Sequence, residues 1–497
     1  MNQPNSPAAL SILVDRAIAE PIGDQIHASL RQAIVEGRLV PGQRLPSGRD
    51  LAAQLGVARG TVRVAYDRLI AENLVFGAGS SGTHVCARLP AERADGEASL
   101  DGPLADFTRP FSSAPLPFQM GVPAHDAFPA KLWARMRTRA VRADAFAYTA
   151  YADPRGEPAL RAQIASHLAV SRQMQCHPDQ VIVTSGYRQS LMLALTALRA
   201  HGRKAWLEEP GYPLGRRALE IIGAAVIPVP VDADGLRVEA GVASAPDALL
   251  ALVTPGQHAP LGVTLSPARR HALLDWAATR GAWIIEDDYL GELQLEGRAA
   301  PALAAGEGAE CVVHIGAFSK TISPGLGLGF VVAPRSVAER LVEVSAVLSP
   351  APNRTTQLAV TEFLRNGHYL RHLRQMKALY AERRRLTLAH VNKFLPGTMM
   401  AGLGVIAPLP QTADDRMVVG ISRAHGLAPS ALSAWYLRRS NAQGGLLLSA
   451  TNLRPDNIET VCATLAGIVA SSSRSPHESN GRQRGVERPL SRNIDDR

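Results

Sequence analysis

Lysine is scarce in this chain. Of its 53 lysine and arginine residues only five, Lys131, Lys204, Lys320, Lys377 and Lys393, carry a side-chain amine. Chemistry that needs such an amine as a nucleophile therefore has five candidates. Cysteine is scarcer still, and Cys86, Cys176, Cys311 and Cys462 form no CxxC pair. That excludes a disulfide scaffold, gives no zinc framework, so that no metal is expected, and fits a reducing compartment. No stretch approaches the ~20 apolar residues that span a bilayer. The opening MNQPNSPAAL has neither a basic start nor a long apolar run, so no secretion signal is read and a cytoplasmic protein is expected.

What is present is the material of a folded chain: 497 residues, 46% of them hydrophobic and 20% charged, too long for one core and enough for two or three domains. The net charge of +9 permits a polyanionic partner. Residues 1–90, however, hold nine arginines against seven acidic side chains, so nucleic-acid binding has to be argued from where arginines sit. Residues 12–86 read as a helical module and 87–119, rich in Pro, Ala, Asp and Ser, as a linker. Residues 120–470 alternate short apolar runs, such as Val181–Gly186, Leu249–Gly256, Ala282–Asp288 and Cys311–Gly316, with helical stretches. One helix is well punctuated, with Ser266 at its N-cap, Pro267 in its first turn and Gly281 after its end. This alternation predicts an α/β fold with a mainly parallel sheet. The Arg- and Ser-rich residues 471–497 read as a disordered tail.

In the first module Ile22, Ile26, Leu30 and Ile34 mark an apolar helix face. Leu51 and Leu55 anchor a second, short helix that Gly56 ends. A third starts near Arg59 and buries Val62, Tyr66 and Leu69. Arg59 and Arg63, four residues apart, then share the opposite face, as a helix that reads guanine edges or phosphates requires. Gly77–Val85 has the glycine-rich turn and short strands of a wing. The stretch from Gln25 through LVPGQRLPSGRDLAAQLGV and TVRVAYDRL to this wing resembles the winged helix-turn-helix domain of the GntR family. The resemblance implies double-stranded DNA as a partner, with Arg49, Arg59, Thr61 and Arg63 as contacts and His84 as a further candidate. Ala58 and Gly60 depart from the Ser and Asn that the family often has there.

Among the lysines, Lys320 alone follows an apolar strand and sits in a loop of small residues. Thirty-three positions upstream, Asp287 ends another buried strand, where a carboxylate is costly without a cationic partner. A protonated pyridine nitrogen is such a partner, and Tyr289 would face the same side. With YADPRGEPALRAQIASHL, VIVTSGYRQSL, EEPGYP, VTPGQHAPLGVTLS and GAFSKTISPGLGLGF, these residues resemble the fold-type I aminotransferase domain of MocR-type regulators from about Gly121 to Ile468. The resemblance implies a large aminotransferase-like domain with a smaller C-terminal subdomain, and pyridoxal 5′-phosphate (PLP) as cofactor. It further implies Lys320 as the Schiff-base lysine and the residue that would carry any catalysis, with Asp287 on the pyridine nitrogen and Tyr289 on the phenolate oxygen. Ser185, Gly186 and Ser319 would cradle the phosphate, Tyr212 would stack on the ring, and Tyr151 would reach in from the other subunit of a homodimer.

Three departures bear on function. Gly327 stands where the family commonly has a phosphate arginine, Gly256-Gln257-His258 replaces a Ser-His-Gln sequence, and Gly444–Leu453 offers leucines where relatives often have a carboxylate-binding arginine. Arg454 is a candidate substitute. The expectation is a DNA-binding transcriptional regulator whose aminotransferase-like domain senses PLP or a PLP–amine adduct, with an amine or amino acid as effector. An active aminotransferase carrying a DNA-binding module, and a regulator with a degenerated pocket, stay open as alternatives.

Overall fold

The computed structural model describes residues 12–86 (apart from 13, 17 and 19), 115–145, 151–348 and 351–472 (apart from 439 and 441). The chain divides into two compact units, Met1–Leu100 and Asp101–Arg497.

The first unit holds three helices, α1 (Ile22–Val35), α2 (Gly48–Leu55) and α3 (Arg59–Ala71), and an antiparallel ribbon of β1 (Val75–Gly77) and β2 (Thr83–Val85). Ser47 caps α2 by accepting the Asp50 N–H, and Gly56 ends it in the left-handed conformation that glycine adopts without strain. The core is the predicted apolar set: Ile26, Leu30, Ile34, Leu51, Val62 and Leu69 are all fully buried. The Tyr66 hydroxyl donates to the Pro46 carbonyl at 2.8 Å, tying α3 to the turn before α2.

The second unit is built on an eight-stranded sheet: β3 (Val181–Thr184), β4 (Lys204–Glu209), β5 (Ala225–Asp232), β6 (Gly235–Leu236), β7 (Leu250–Val253), β8 (Trp283–Asp287), β9 (Val312–Ala317) and β10 (Gly329–Val332). Their order is β3-β10-β9-β8-β7-β4-β5-β6. The run from β9 to β5 is parallel, and β10 lies antiparallel between β3 and β9. Strands buried on both faces read as continuous apolar runs, which is why these segments were legible without alternation. The helix Pro267–Arg280 starts and stops as its punctuation predicts, with Ser266 as N-cap and Gly281 left-handed after it. Helices cover the sheet, and a four-stranded antiparallel sheet forms the C-terminal subdomain: β11 (Met399–Ala401), β12 (Gly404–Pro408), β13 (Ser430–Ala431) and β14 (Gly445–Ser449). Among the described residues, no helix is long and apolar enough to cross a membrane.

Two boundaries shift. Residues 115–119 fall in the expected linker, but they pack onto the C-terminal subdomain: Phe118 is fully buried there and its carbonyl accepts from Ser449. Its flanking prolines disguised a core residue as linker. The last helix, Ile458–Ser472, runs two residues into the expected tail. The remaining tail residues and residues 87–114 of the linker lie outside the described residues. Phe118→Ala is expected to destabilise the large unit by about 3–5 kcal/mol, read from denaturant unfolding. A loss below about 1 kcal/mol would mean that the segment is only loosely held.

Candidate functional site

In the first unit, Arg49, Arg59 and Arg63 are exposed and Thr61 is half-buried. Arg59 opens α3, and Arg63 lies one turn on, 3.7 Å from Asp67 in an exposed ion pair that contributes little. The α3 face that carries both arginines is the one left free once Val62, Tyr66 and Leu69 enter the core. His84 is differently placed. Its ring nitrogens lie 3.1 Å from the Gly42 carbonyl and 3.0 Å from the Ser81 carbonyl, so it braces the wing internally.

In the second unit a cavity of about 700 Å³ opens at the carboxyl ends of the sheet strands, where ligands of open α/β sheets bind. It is lined by Lys320, Asp287, Tyr289, Ser185, Gly186, Tyr212 and Ser319. Seven of the eight expected cofactor residues therefore share one space. They arrive there because β3, β4, β8 and β9 end on the same edge. Tyr151 is the eighth: it is fully exposed and lines no part of the cavity of its own chain.

The Lys320 amine donates to the Gly121 carbonyl at 2.8 Å. Burial lowers its pKa to about 8, against the pull of Asp287 and with help from the Arg188 charge. Asp287 behaves in the opposite sense. Burial raises its pKa to about 7, Asp288 adds to the rise, and Tyr187 and Lys320 hold it back. The Tyr187 hydroxyl is near enough for that effect, yet neither it nor Asp287 Oδ1 has a hydrogen-bond partner of normal geometry among the described residues. Buried carboxylate oxygens are normally satisfied, so an unpartnered one on a cavity wall fits a cationic ligand nitrogen. Asp287, Tyr289 and Tyr212 would hold a pyridine ring, Lys320 its aldehyde carbon, and the Ser185–Gly186 turn a phosphate. At that turn the Gln189 side-chain oxygen accepts from the Ser185 N–H and, at 2.6 Å, from its hydroxyl. These two donors thus already converge on one acceptor oxygen.

Below Asp287 lies a buried polar layer. Arg172 grips Asp288 through Nε at 2.7 Å and Nη2 at 3.1 Å, and His314 contacts Glu286 at 2.9 Å. The remaining expectations separate. Arg454 is exposed and paired with Asp456, away from the cavity. Leu447 and Leu448 of β14 line the wall, as the sequence suggested for that position. His258 is buried 3.7 Å from Glu208 instead of facing the cavity, and burial lowers its pKa to about 3. Sequence reading missed Tyr187, Arg188, Gly121, Arg423 and Trp435, all on the lining. The first two follow the Ser185–Gly186 turn directly and could have been found; the others arrive from distant segments.

Two family models match the chain: bacterial regulatory proteins, gntR family, over residues 22–85, and aminotransferase class I and II over residues 116–409. The probable rhizopine catabolism regulatory protein MocR of Rhizobium meliloti is 32% identical over 453 residues, covering 88% of this chain and 91% of that protein. The HTH-type pyridoxine biosynthesis transcriptional regulator PdxR of Corynebacterium glutamicum is also 32% identical, covering 90% of this chain and 96% of its own. Among solved structures, an archaeal alanine:glyoxylate aminotransferase superposes with a TM-score of 0.66 at 22% identity, over 72% of this chain and 92% of that one. The α-aminoadipate aminotransferase LysN of Thermus thermophilus, complexed with N-(5′-phosphopyridoxyl)-L-leucine, gives 0.65 at 24% identity, over 72% and 92%. At such identities these two structures establish the fold alone.

The lowered pKa of Lys320 is directly measurable. Labelling of Lys320 by a small acylating reagent, mapped by mass spectrometry, should rise about tenfold per pH unit and level off above pH about 8. An ordinary lysine goes on rising toward about pH 10.4, and such a profile at Lys320 would refute the assignment.

Proposed function

The chain belongs to the MocR-type regulators of the gntR family, and we propose that its DNA binding responds to PLP, or a PLP–amine adduct, held through Lys320. The observation that carries this reading is the shared cavity of a depressed-pKa amine and a buried carboxylate oxygen without a partner. PLP supplies electron withdrawal at the carbon that Lys320 attacks. The chain's own residues do the rest: Asp287 holds the ring-nitrogen proton, Tyr289 meets the phenolate oxygen, Tyr212 covers the ring, and Ser185, Gly186 and Ser319 receive the phosphate.

A sensor needs the ligand to bind one arrangement better than another. Lys320 now donates to Gly121, and Leu116, Gln119 and Gly121 all line the cavity. A ligand bonded to Lys320 competes with the Gly121 carbonyl for this amine, within the segment that follows residues 87–114 on the way from the DNA-binding unit. Tyr151 is exposed and lines no part of its own chain's cavity, so its expected role at the ring would have to be played in the site of a second copy of the chain. Leu447 and Leu448 on the wall, with Arg454 paired elsewhere, remove the expected carboxylate arginine at that position, which supports sensing, while Arg423 is the cation that the C-terminal subdomain brings to the lining.

Adding PLP to the purified protein should produce an absorbance band at about 400–430 nm that Lys320→Ala abolishes, together with a changed mobility or footprint on target DNA. A protein that stays colourless would eliminate PLP sensing, and sustained keto-acid release from amino acids would favour an enzyme. Arg59→Ala and Arg63→Ala should each weaken DNA binding by ~1–3 kcal/mol, whereas Arg454→Ala should leave it unchanged, as fluorescence anisotropy across salt concentrations would show.

A further inference from the structure

We infer that Arg188 is the counter-charge for the ligand's phosphate, taking the place of the side chain that Gly327 does not provide. The inference rests on the PLP reading above. A phosphate dianion held only by hydroxyls and backbone N–H groups has no full counter-charge, whereas a guanidinium supplies one together with two-point hydrogen bonding. The charged residues on the described lining are Arg188, Asp287, Lys320 and Arg423. Asp287 has the wrong sign, Lys320 is committed to the aldehyde carbon, and Arg423 comes from the helix Asp415–Ala424 of the C-terminal subdomain. Arg188 is the second residue of the helix Tyr187–Ala197, directly after the Ser185–Gly186 turn. It therefore adds a full charge to a helix end whose N–H groups already favour an anion.

Two further observations agree. The guanidinium acts on the amine of Lys320 and the hydroxyl of Tyr212, lowering the pKa of each against or along with burial, so its charge is felt where a ligand bonded to Lys320 would lie. Gly327 faces the same turn: a Cβ built there would meet nothing nearer than the Ser185 carbonyl, at 3.9 Å. Gly327 lines the same cavity, and its left-handed backbone (φ 53°) makes a side chain there strained although its first carbon is not obstructed.

The test compares two ligands on the full-length protein: PLP and pyridoxal, which has the same ring and aldehyde but no phosphate. Binding is read from absorbance and fluorescence titrations. Arg188→Ala should weaken PLP binding on the order of 10- to 100-fold and pyridoxal binding less than about threefold, with thermal unfolding unchanged. Arg188→Lys should keep part of the affinity, and Gly327→Arg in the Arg188→Ala background should restore PLP selectivity. Equal losses for both ligands would overturn the inference and leave Arg188 a positioning residue; no loss for PLP would overturn it outright. Failure of the wild-type protein to bind either ligand would remove the PLP reading itself, a result distinct from both.

Discussion

Three consecutive carboxylates, Glu286, Asp287 and Asp288, close a buried strand, and strand alternation decides what becomes of each. Residues two apart point to the same face, so Glu286 and Asp288 face one way and Asp287 the other. The first two enter a basic layer: Arg172 makes a two-point contact with Asp288, and His314 and the backbone N–H groups of Leu303 and Ala304 satisfy Glu286. His314 stays cationic more readily than an ordinary histidine: burial opposes its charge, but Glu286 and Asp288 outweigh it. Asp287 gets none of this and is left on the cavity wall with an unpartnered oxygen. The layer that neutralises its neighbours also fixes the direction of its own carboxyl group. The rest of the site is arranged around that direction.

Lys320 is the complement. Burial works against the charge on both groups, lowering the Lys320 pKa to about 8 and raising that of Asp287 to about 7. Near neutral pH, a salt link between them would stabilise little, because forming it requires two protonation states that their surroundings each disfavour. A ligand that meets both would relieve the conflict: Asp287 would face a protonated ring nitrogen, and the neutral form of the Lys320 amine would be the one able to condense with an aldehyde, with loss of water. Scarcity of lysine sharpens the assignment. Buried structural cations here, such as Arg172, Arg383 and Arg384, are arginines, which do not lose a proton in proteins. Lys204, in contrast, sits on the surface beside Asp247.

Much of this arrangement was legible in the chain itself, and the pattern of what was missed is physical. The helices of the first unit repeat their apolar residues at spacings of three and four, and the punctuation Ser266, Pro267 and Gly281 lies within sixteen residues. Lys320, Asp287 and Ser185 follow apolar runs that can hardly be anything but interior strands. Contacts between segments separated by hundreds of residues leave no such trace. Phe118 looked like linker because prolines surround it, and its burial depends on strand β14, more than 300 residues on. Gly121 and Arg423 carry no local mark at all; their place on the cavity is a property of how the C-terminal subdomain closes against the sheet. Arg454 illustrates the converse: nearness in sequence to the expected arginine position did not aim its side chain, which a neighbouring aspartate captures at the surface.

The same geometry bears on the choice between sensing and turnover. Turnover requires that the substrate be oriented through groups remote from the reacting carbon, because binding energy realised there is what positions the bond to be broken. On this cavity the wall contributed by β14 is leucine, with Ile406 and Trp435 beside it, and such a surface gives a charged carboxylate little reason to adopt one orientation. Recognition of the proposed cofactor's end, by contrast, would draw on an acid, an amine, phenols and a strand-to-helix turn that line the cavity. The C-terminal subdomain also brings Arg423, Ser430 and Ser449 to the lining, so the β14 leucines weaken one way of orienting a carboxylate and do not make that side of the cavity apolar. If the proposed ligand binds through Lys320, the contact between this amine and the Gly121 carbonyl is where its binding would reach the backbone of residues 115–121.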